Sequence, residues 1–319
     1  MVSNLGNNFD LNIKFMKNTQ KSMSLENKVL ALNGWYITGL TDGEGSFAVS
    51  ISKSATRSLG YVITVSFELA LQASDKHILL GLKEFFRVGD VYKHGEDMFR
   101  YKVSSVRDLM NVIIPHFDKF PLLTQKGADF YLFKQVITIL SKGPVTLKGL
   151  QEVVNLKASI NRGLSSMLKL AFPETIPASR SIIPFRGILD PNWVCGFTEA
   201  EGCFFVSLTN NSRLKTKIEV RIMFFLTQHI RDKDLLFGLV SYFGCGKFIE
   251  RSNKLAGDFK VLGLTDLSRS IIPFFNKYPF IGAKGISFNA LCSVASIMTD
   301  RGHLTEEGLN KIQKIKSRV

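Results

Sequence analysis

The chain has 319 residues, of which 45% are hydrophobic, and this content supports packed cores and argues against general disorder. No Cys-x-x-Cys pair occurs among its four cysteines and no apolar run approaches the roughly 18 residues of a membrane span, which argues against a structural zinc site, a disulfide framework and a membrane protein. The formal charge of +14 favours a polyanionic partner, since Lys and Arg pair with phosphates and release counterions, although a solvated basic surface is the alternative.

The N-terminal segment is rich in Asn and Lys. Its first 30 residues contain no Arg and no central apolar block, which is typical of neither a signal peptide nor a transit peptide. We expect residues 1–32 to form a flexible leader.

The remainder of the chain repeats itself. The stretch GLTDGEGSFAVS, Gly39–Ser50, returns as GFTEAEGCFFVS, Gly196–Ser207, 157 residues later, and Asp75-Lys76 returns as Asp232-Lys233 at the same offset. IIPHFDKFPLLTQKG, from Ile113, returns as IIPFFNKYPFIGAKG 158 residues later. Matches in one order and nearly one register indicate two copies of one domain.

Each copy begins with a predicted helix followed by a hairpin. Asn33 is a suitable N-cap for a helix that reaches about Asp42, and Asp190-Pro191 supplies an N-cap and a first-turn proline in the second copy. Strict alternation of apolar and polar residues follows in both copies, which predicts two strands with one buried face.

The second half of each copy continues with a helix from Ser74 or Arg231 and then a second strand pair. The predicted pairs are 88–94 with 98–104, and 247–251 with 258–263, and helices close each copy. The fold class is therefore α+β, with the order αββαββα occurring twice. The predicted domains are residues 33–172 and 190–319, joined by a proline-containing linker at 173–189.

Two equivalent carboxylates are the candidates for chemistry. Glu44 and Glu201 each precede a glycine at the C-terminal end of the opening helix, where the helix dipole disfavours an anion. A divalent cation would explain both, and Mg²⁺ prefers carboxylate oxygens. Each helix also has two small residues four positions apart, Gly39 with Gly43 and Gly196 with Ala200, which would let the helices pack closely. Close packing would bring both acids together, where bound metal could assist displacement at a phosphate. The alternative is that each Glu-Gly simply ends a helix.

The segments ITGLTDGEG (37–45) and VCGFTEAEG (194–202) resemble the two signature motifs of LAGLIDADG homing endonucleases. The similarity covers about residues 33–319 and is greatest to the monomeric enzymes of fungal organellar introns. It implies that the motif helices form the domain interface and that Glu44 and Glu201 bind Mg²⁺, or Mn²⁺ or Ca²⁺ in the same site. Both motifs have Glu where the signature has Asp, which retains the carboxylate.

The resemblance also implies a function and a location. It implies a site-specific endonuclease that acts as a monomer in the mitochondrion and makes a double-strand break at a long asymmetric DNA target for intron homing. Saddle-shaped antiparallel sheets would hold the major groove, where base edges are distinguishable. A basic residue near the reaction centre is also implied, for which Arg251 is the first candidate and Lys247 the second.

The outward-facing residues of the predicted strands are the candidates for DNA contacts. In the first copy these are Ser50, Ser52, Thr64, Ser66, Glu68, Arg100, Lys102 and Ser104; in the second they are Ser207, Thr209, Asn211, Lys215, Lys217, Glu219, Arg221, Asp258 and Lys260. Because the two sets differ, one rich in serine and one charged, an asymmetric target is expected.

Two other functions remain open at this point. One is an intron maturase that binds intron RNA on the same fold, and the other is a non-catalytic DNA-binding regulator. Retention of both acids favours cleavage, since splicing alone would not require them.

Overall fold

The two repeats have the same order of helices and strands up to their closing helices in the computed structural model, which describes residues 31–252 and 255–318. The predicted leader, residues 1–32, lies outside the described residues except for its last two.

The first repeat begins with helices and strands in the order predicted and has additional helices at its end. Its elements are α1 (Gly34–Glu44), β1 (Gly45–Lys53), β2 (Tyr61–Gln72), α2 (Lys76–Phe86), β3 (Asp90–Lys93), β4 (Met98–Val103), α3 (Ile114–Lys119), α4 (Lys126–Ser141), α5 (Leu147–Ser159) and α6 (Ser166–Ala171). A short turn of α-helix and a π-helical turn, Leu109–Ile113, lead directly into α3.

The second repeat follows the same plan. Its elements are α7 (Pro191–Glu201), β5 (Gly202–Asn210), β6 (Ile218–His229), α8 (Lys233–Phe243), β7 (Lys247–Arg251), β8 (Ala256–Leu262), α9 (Ile272–Lys277), α10 (Lys284–Thr299) and α11 (Glu306–Lys316). A π-helical turn, Leu267–Ile271, again precedes the short helix. No helix or strand occurs between α6 and α7, where a linker was predicted.

Both opening helices begin at the predicted caps. The Asn33 side chain accepts a hydrogen bond from the Trp35 N–H at 2.8 Å, and the Asp190 side chain accepts one from the Asn192 N–H at 2.7 Å. The first helix ends at Glu44, two residues later than predicted, so the candidate acid is part of the helix.

Each repeat contains one four-stranded antiparallel sheet. The strand orders are β1-β2-β4-β3 and β5-β6-β8-β7, so the first strand lies at one edge and the short third strand at the other. The same register occurs in both long hairpins, with Gly45 opposite Leu69 and Gly202 opposite Leu226. The predicted α+β fold is therefore confirmed.

One face of each sheet packs on helices through aromatic side chains. In the first repeat Phe47, Phe67 and Phe117 are almost completely buried, with ring centroids 5.2–5.4 Å apart. Phe204, Phe224 and Phe275 occupy the same places in the second repeat. These alternate residues form the apolar face, which leaves the other face of each sheet for polar side chains.

Helices α1 and α7 cross at two glycines. A Cβ added at Gly39 would lie far inside van der Waals distance of the Trp193 carbonyl oxygen, and one added at Gly196 would collide with the Tyr36 carbonyl. The close approach predicted from the small residues is therefore present, and it joins the two repeats along their motif helices.

Among the helices of the described residues, none combines the length and the apolar content needed to cross a membrane. All four cysteines are free.

Candidate active site

The two candidate acids meet where the motif helices end. Glu44 is the last residue of α1 and Glu201 is the last residue of α7. In each repeat the backbone continues directly into the edge strand of the sheet. A Cβ added at Gly43 would collide with the Ala200 Cβ and lie 3.2 Å from Cγ of Glu201. The last turns of both helices are therefore in contact, and the two carboxylates share one location.

Both candidate acids have a pKa above the usual value for glutamate. Partial desolvation between the repeats raises the pKa of Glu44, although its side chain remains accessible, and the charges of Lys126 and Lys284 oppose this rise. Desolvation and the charge of Glu44 raise the pKa of Glu201, while a hydrogen bond from Gln228 and the same two lysines lower it. Leu71 occupies the position equivalent to Gln228, so the two acids have unequal surroundings.

The basic groups beside the acids are Lys126 and Lys284, the first residues of α4 and α10. The Lys126 ammonium donates to the carbonyl oxygens of Thr41 (2.7 Å) and Gly43 (2.9 Å), and that of Lys284 donates to the Gly202 carbonyl (2.6 Å). Cations at these positions satisfy carbonyls at the negative ends of the motif helices. Burial lowers the pKa of Lys126, against the charges of the nearby acids.

Neither lysine was predicted from the sequence, although a signal was present. Both stand at equivalent places in the repeated segments LLTQKG and FIGAKG. Their identity in both copies marked them as candidates, but the distance along the chain from Glu44 concealed their proximity.

The donor set fits a hard divalent cation. Among the described residues no cluster of three His, Cys, Asp or Glu side chains could hold a metal by itself. Two carboxylates that face solvent match a cation such as Mg²⁺, which keeps several waters and completes its coordination with phosphate oxygens. A cavity of about 400 Å³ lined by Glu44 and Lys284 leaves open space beside the first of these acids.

The other acid of each motif is buried and has a structural role. Asp42 accepts hydrogen bonds from the Trp193 indole N–H (2.8 Å) and from the Thr124 hydroxyl (2.6 Å). At the equivalent position, Glu199 accepts one from the Tyr36 hydroxyl (3.2 Å). Trp193 and Tyr36 are themselves equivalent, so each motif helix donates to the buried acid of the other helix. Desolvation raises the pKa of both acids.

The polar face of the first sheet has an ion-pair cluster at its centre. Glu68 contacts Arg100 (3.0 Å) and Lys102 (2.9 Å) and accepts a hydrogen bond from Ser66 (2.7 Å). Desolvation opposes ionisation of Glu68, but the Ser66 and Lys102 hydrogen bonds and the nearby charges outweigh it and lower its pKa. Ser66 is only 5% exposed and its hydroxyl is bound to Glu68, so its prediction as a base-contacting residue is corrected. Ser50, Ser52 and Thr64 lie exposed on the same face, and Ser104 lies exposed just after β4.

The polar face of the second sheet presents a different ion pair. Arg221 donates to Glu219 at 2.8 and 3.0 Å, with Ser207 opposite Arg221 and Thr209 opposite Glu219 in the register. Strand β5 ends at Asn210 and β6 begins at Ile218. Three residues predicted to lie on strands therefore lie in the turn between them, namely Asn211, Lys215 and Lys217. Lys217 has a φ of 56°, which interrupts the extended backbone before the strand.

The predicted basic residues of β7 lie on the edge strand farthest from β5 in the second sheet. Arg251 binds Asp258 (2.6 Å) and the Thr227 hydroxyl (3.1 Å). Lys247 lies in the same cross-strand row as Lys260 at the far edge of the sheet, about 14 Å from β5 at the usual strand spacing. Asp258 is 5% exposed and engaged by Arg251, so it is not available to bases, which corrects its prediction. The structure therefore favours Lys126 and Lys284 over Arg251 and Lys247 as the basic groups at the acids.

An apolar patch on the second sheet was also missed. Phe205, which is 43% exposed, stands opposite Met223, and Phe225 lies beside them with the Lys260 ammonium 5.7 Å from its ring. Period-two alternation places Met223 and Phe225 on the outward face, but the predicted DNA contacts included only polar and charged side chains of that face. The equivalent residues of the first sheet are Ala48, Ser66 and Glu68.

Comparison with known proteins agrees with this geometry. A family model described as LAGLIDADG endonuclease matches residues 37–137 and 194–295. The chain is 38% identical over 305 residues to a Neurospora crassa protein named probable intron-encoded endonuclease 3, covering 94% of this chain and 56% of that relative, so it spans just over half of the relative's length.

Solved structures show the same fold. The I-SmaMI LAGLIDADG homing endonuclease bound to cleaved DNA superposes with a TM-score of 0.88 at 37% identity, covering 89% of this chain and 96% of that one. I-SmaMI bound to an uncleaved DNA target in the presence of calcium ions gives 0.88 at 38% identity, covering 90% and 98%. With both motifs, both sheets and the crossing helices in place, the chain belongs to the LAGLIDADG endonuclease family.

Proposed function

We propose that the protein is a site-specific DNA endonuclease that makes a divalent-metal-dependent double-strand break at a long asymmetric target, as in intron homing. The observation that carries this proposal is the meeting of Glu44 and Glu201 at the ends of the crossing helices, between two sheets with polar faces. A break in two strands needs two reaction centres close together, and a repeated acid at a pseudo-twofold contact supplies them.

In this proposal the acids hold the cation and the lysines balance charge. Glu44 and Glu201 would bind Mg²⁺, or Mn²⁺ or Ca²⁺ in the same site, and the presence of calcium in the I-SmaMI complex supports a hard cation. When bound, such an ion activates water and stabilises the leaving oxygen of a phosphodiester. Lys126 and Lys284 oppose the rise in the pKa of both carboxylates and would offer positive charge to the phosphate that is cut.

The polar faces of the two sheets would read the target. A bidentate arginine or a short hydroxyl on a strand can distinguish base edges in the major groove, whereas outlying lysines contact phosphates without regard to sequence. The first sheet offers hydroxyls around Glu68, and the second offers Arg221 beside an apolar patch. Because the two faces differ, the two half-sites should differ as well.

We also propose that one chain is sufficient for this function. The two repeats, residues 33–172 and 190–319, would act as two DNA-binding domains joined by the linker at 173–189, so the protein would work as a monomer. The resemblance to fungal intron-encoded enzymes supports a mitochondrial location.

Cleavage of DNA by variants of the two acids tests the proposal. Wild-type protein is incubated with Mg²⁺ and a library of duplexes tiled from fungal mitochondrial genes, and the cut duplex is identified by sequencing. We expect Glu44→Gln and Glu201→Gln each to lower the cleavage rate at least about 100-fold, while affinity without metal changes little because it depends on basic contacts. Glu306→Gln, an exposed acid at the start of α11, is the matched control and should cut normally.

Two outcomes would contradict the proposal. If either glutamine variant cuts at the wild-type rate, that acid does not hold the metal. If wild-type protein cuts no duplex but binds the intron RNA of one of these genes, the fold serves splicing in this protein.

A further inference from the structure

The backbone just before Lys126 is held by carboxylates. Three consecutive N–H groups, those of residues 123–125, all donate to acidic side chains. The bonds are Leu123 to Asp42 at 2.9 Å, Thr124 to Asp42 at 3.2 Å and Gln125 to Asp232 at 2.6 Å. No residue separates the last of these donors from the lysine.

The same arrangement precedes Lys284. The bonds are Ile281 to Glu199 at 3.1 Å, Gly282 to Glu199 at 3.2 Å and Ala283 to Asp75 at 2.7 Å. Asp42 and Glu199 are equivalent in the two repeats, and so are Asp232 and Asp75. The pattern of three held N–H groups is therefore a property of both copies.

The third bond of each set crosses between the repeats. Asp232 belongs to the second repeat and holds the residue before Lys126, while Asp75 belongs to the first and holds the residue before Lys284. These aspartates end the short 3₁₀ turns that lead into α8 and α2. Gln125 and Ala283 are the N-caps of α4 and α10, where a carboxylate is favoured by the free N–H groups of the helix.

The bonds to the preceding backbone affect the position of each lysine ammonium group. Each lysine side chain spans from the start of its helix to carbonyls at the end of the motif helix, so the position of its ammonium depends on where the preceding backbone is held. Catalytic groups must be placed within about 0.5 Å, and an error of about 1 Å can cost 100-fold in rate.

We propose that Asp75 and Asp232 are positioning residues for cleavage, each fixing the active-site lysine of the opposite repeat. The inference rests on the proposed nuclease function and adds that neither reaction centre is built by one repeat alone. Removing one crossing aspartate should then impair the centre that contains the lysine of the other repeat.

The test uses the full chain and the duplex identified above, labelled separately on each strand. Lys126→Met and Lys284→Met first establish which strand each lysine serves. We expect Asp232→Ala to slow cutting of the strand that Lys126→Met slows, by about 10- to 100-fold, and Asp75→Ala to slow the other strand. Nicked duplexes of opposite polarity should accumulate, with affinity measured without metal changing less than about threefold because the phosphate and base contacts are intact.

Conservative and control variants separate positioning from folding. Asp232→Asn and Asp75→Asn keep an acceptor oxygen and should restore most of the rate. Asp234→Ala removes an exposed acid from the first turn of α8 and should leave both strands cut normally. If an alanine variant does not fold, the strand-resolved rates of the asparagine variant decide instead, and a small loss confined to the predicted strand supports positioning.

The proposal is overturned if the aspartate variants slow both strands equally, or slow the strand served by the lysine of their own repeat. It is also overturned if the lysine variants slow a strand and the aspartate variants slow neither. Failure of the wild-type protein to cut, or normal cutting by Glu44→Gln, would instead refute the proposed function.

Discussion

A buried histidine makes the stability of the first repeat depend on pH. His116 in α3 is 7% exposed and lies among the rings of Phe86, Phe117 and Phe120, with centroids 4.8–5.2 Å away. Within the described residues its Nε2 atom has no hydrogen-bond partner. Burial, with a smaller contribution from the charge of Lys119, lowers its pKa from 6.5 to about 3. The native protein therefore keeps this ring neutral under conditions in which the unfolded chain protonates it.

The sign and size of the effect follow from proton linkage. Between the native and unfolded pKa values the unfolded state binds one more proton, so stability falls as the pH decreases through 6.5. At pH 5 an unfolded histidine is almost fully protonated and the native one is not, which corresponds to about 2 kcal/mol lost between pH 8 and pH 5. His116→Phe removes this loss, and Phe274 already occupies the equivalent position in the second repeat.

Urea denaturation at pH 8 and pH 5, followed by tryptophan fluorescence, measures the difference. The buried acids have raised pKa values, so they bind protons in the native state and make the protein more stable as the pH falls. The pH dependence of the wild-type unfolding free energy therefore does not isolate the effect of His116, and the comparison with a variant is needed. For each protein, the measured quantity is the unfolding free energy at pH 5 minus that at pH 8. We expect this difference to be about 2 kcal/mol more positive in His116→Phe than in the wild type. The reverse variant, Phe274→His, should add a loss of the same sign, smaller because Phe274 is only half-buried. Equal pH dependence in wild type and His116→Phe would refute the reasoning.

Two further predictions concern packing and base preference. Gly39→Ala should lower the unfolding free energy by about 1–3 kcal/mol, because its methyl group collides with the backbone of α7, whereas Gly149→Ala in α5 meets only ordinary contacts and should be neutral in the same denaturation assay. Phe205 should favour a thymine at the base pair that it contacts, because its ring can pack on the thymine methyl group. Replacing that thymine by deoxyuridine should weaken binding by the wild type about fourfold, since one buried methyl group contributes about 0.8 kcal/mol. No effect should remain in Phe205→Ser, and an equal effect in both proteins would exclude this contact.

Local patterns in the sequence were sufficient for the fold and for the two acids. The N-caps, the period-two alternation and the repeated motif each depend on neighbouring residues, so the opening helices and the hairpins were predictable. Glu44 and Glu201 were found because an anion at a helix C-terminus is unfavourable, and its recurrence needed an explanation.

Tertiary structure decided what surrounds those acids. Asp232 reaches Gln125 across 107 positions of the chain and Asp75 reaches Ala283 across 208, and no local pattern connects residues so far apart. Asp258 was predicted on an accessible face, but Arg251 from the neighbouring strand covers it. Alternation determines which face of a strand a side chain occupies, whereas accessibility and charge pairing depend on the strands placed beside it. For that reason the sequence alone determined the fold and the two candidate acids. Only the packing of the two repeats identified the lysines beside them and the aspartates that bind the preceding backbone N–H groups.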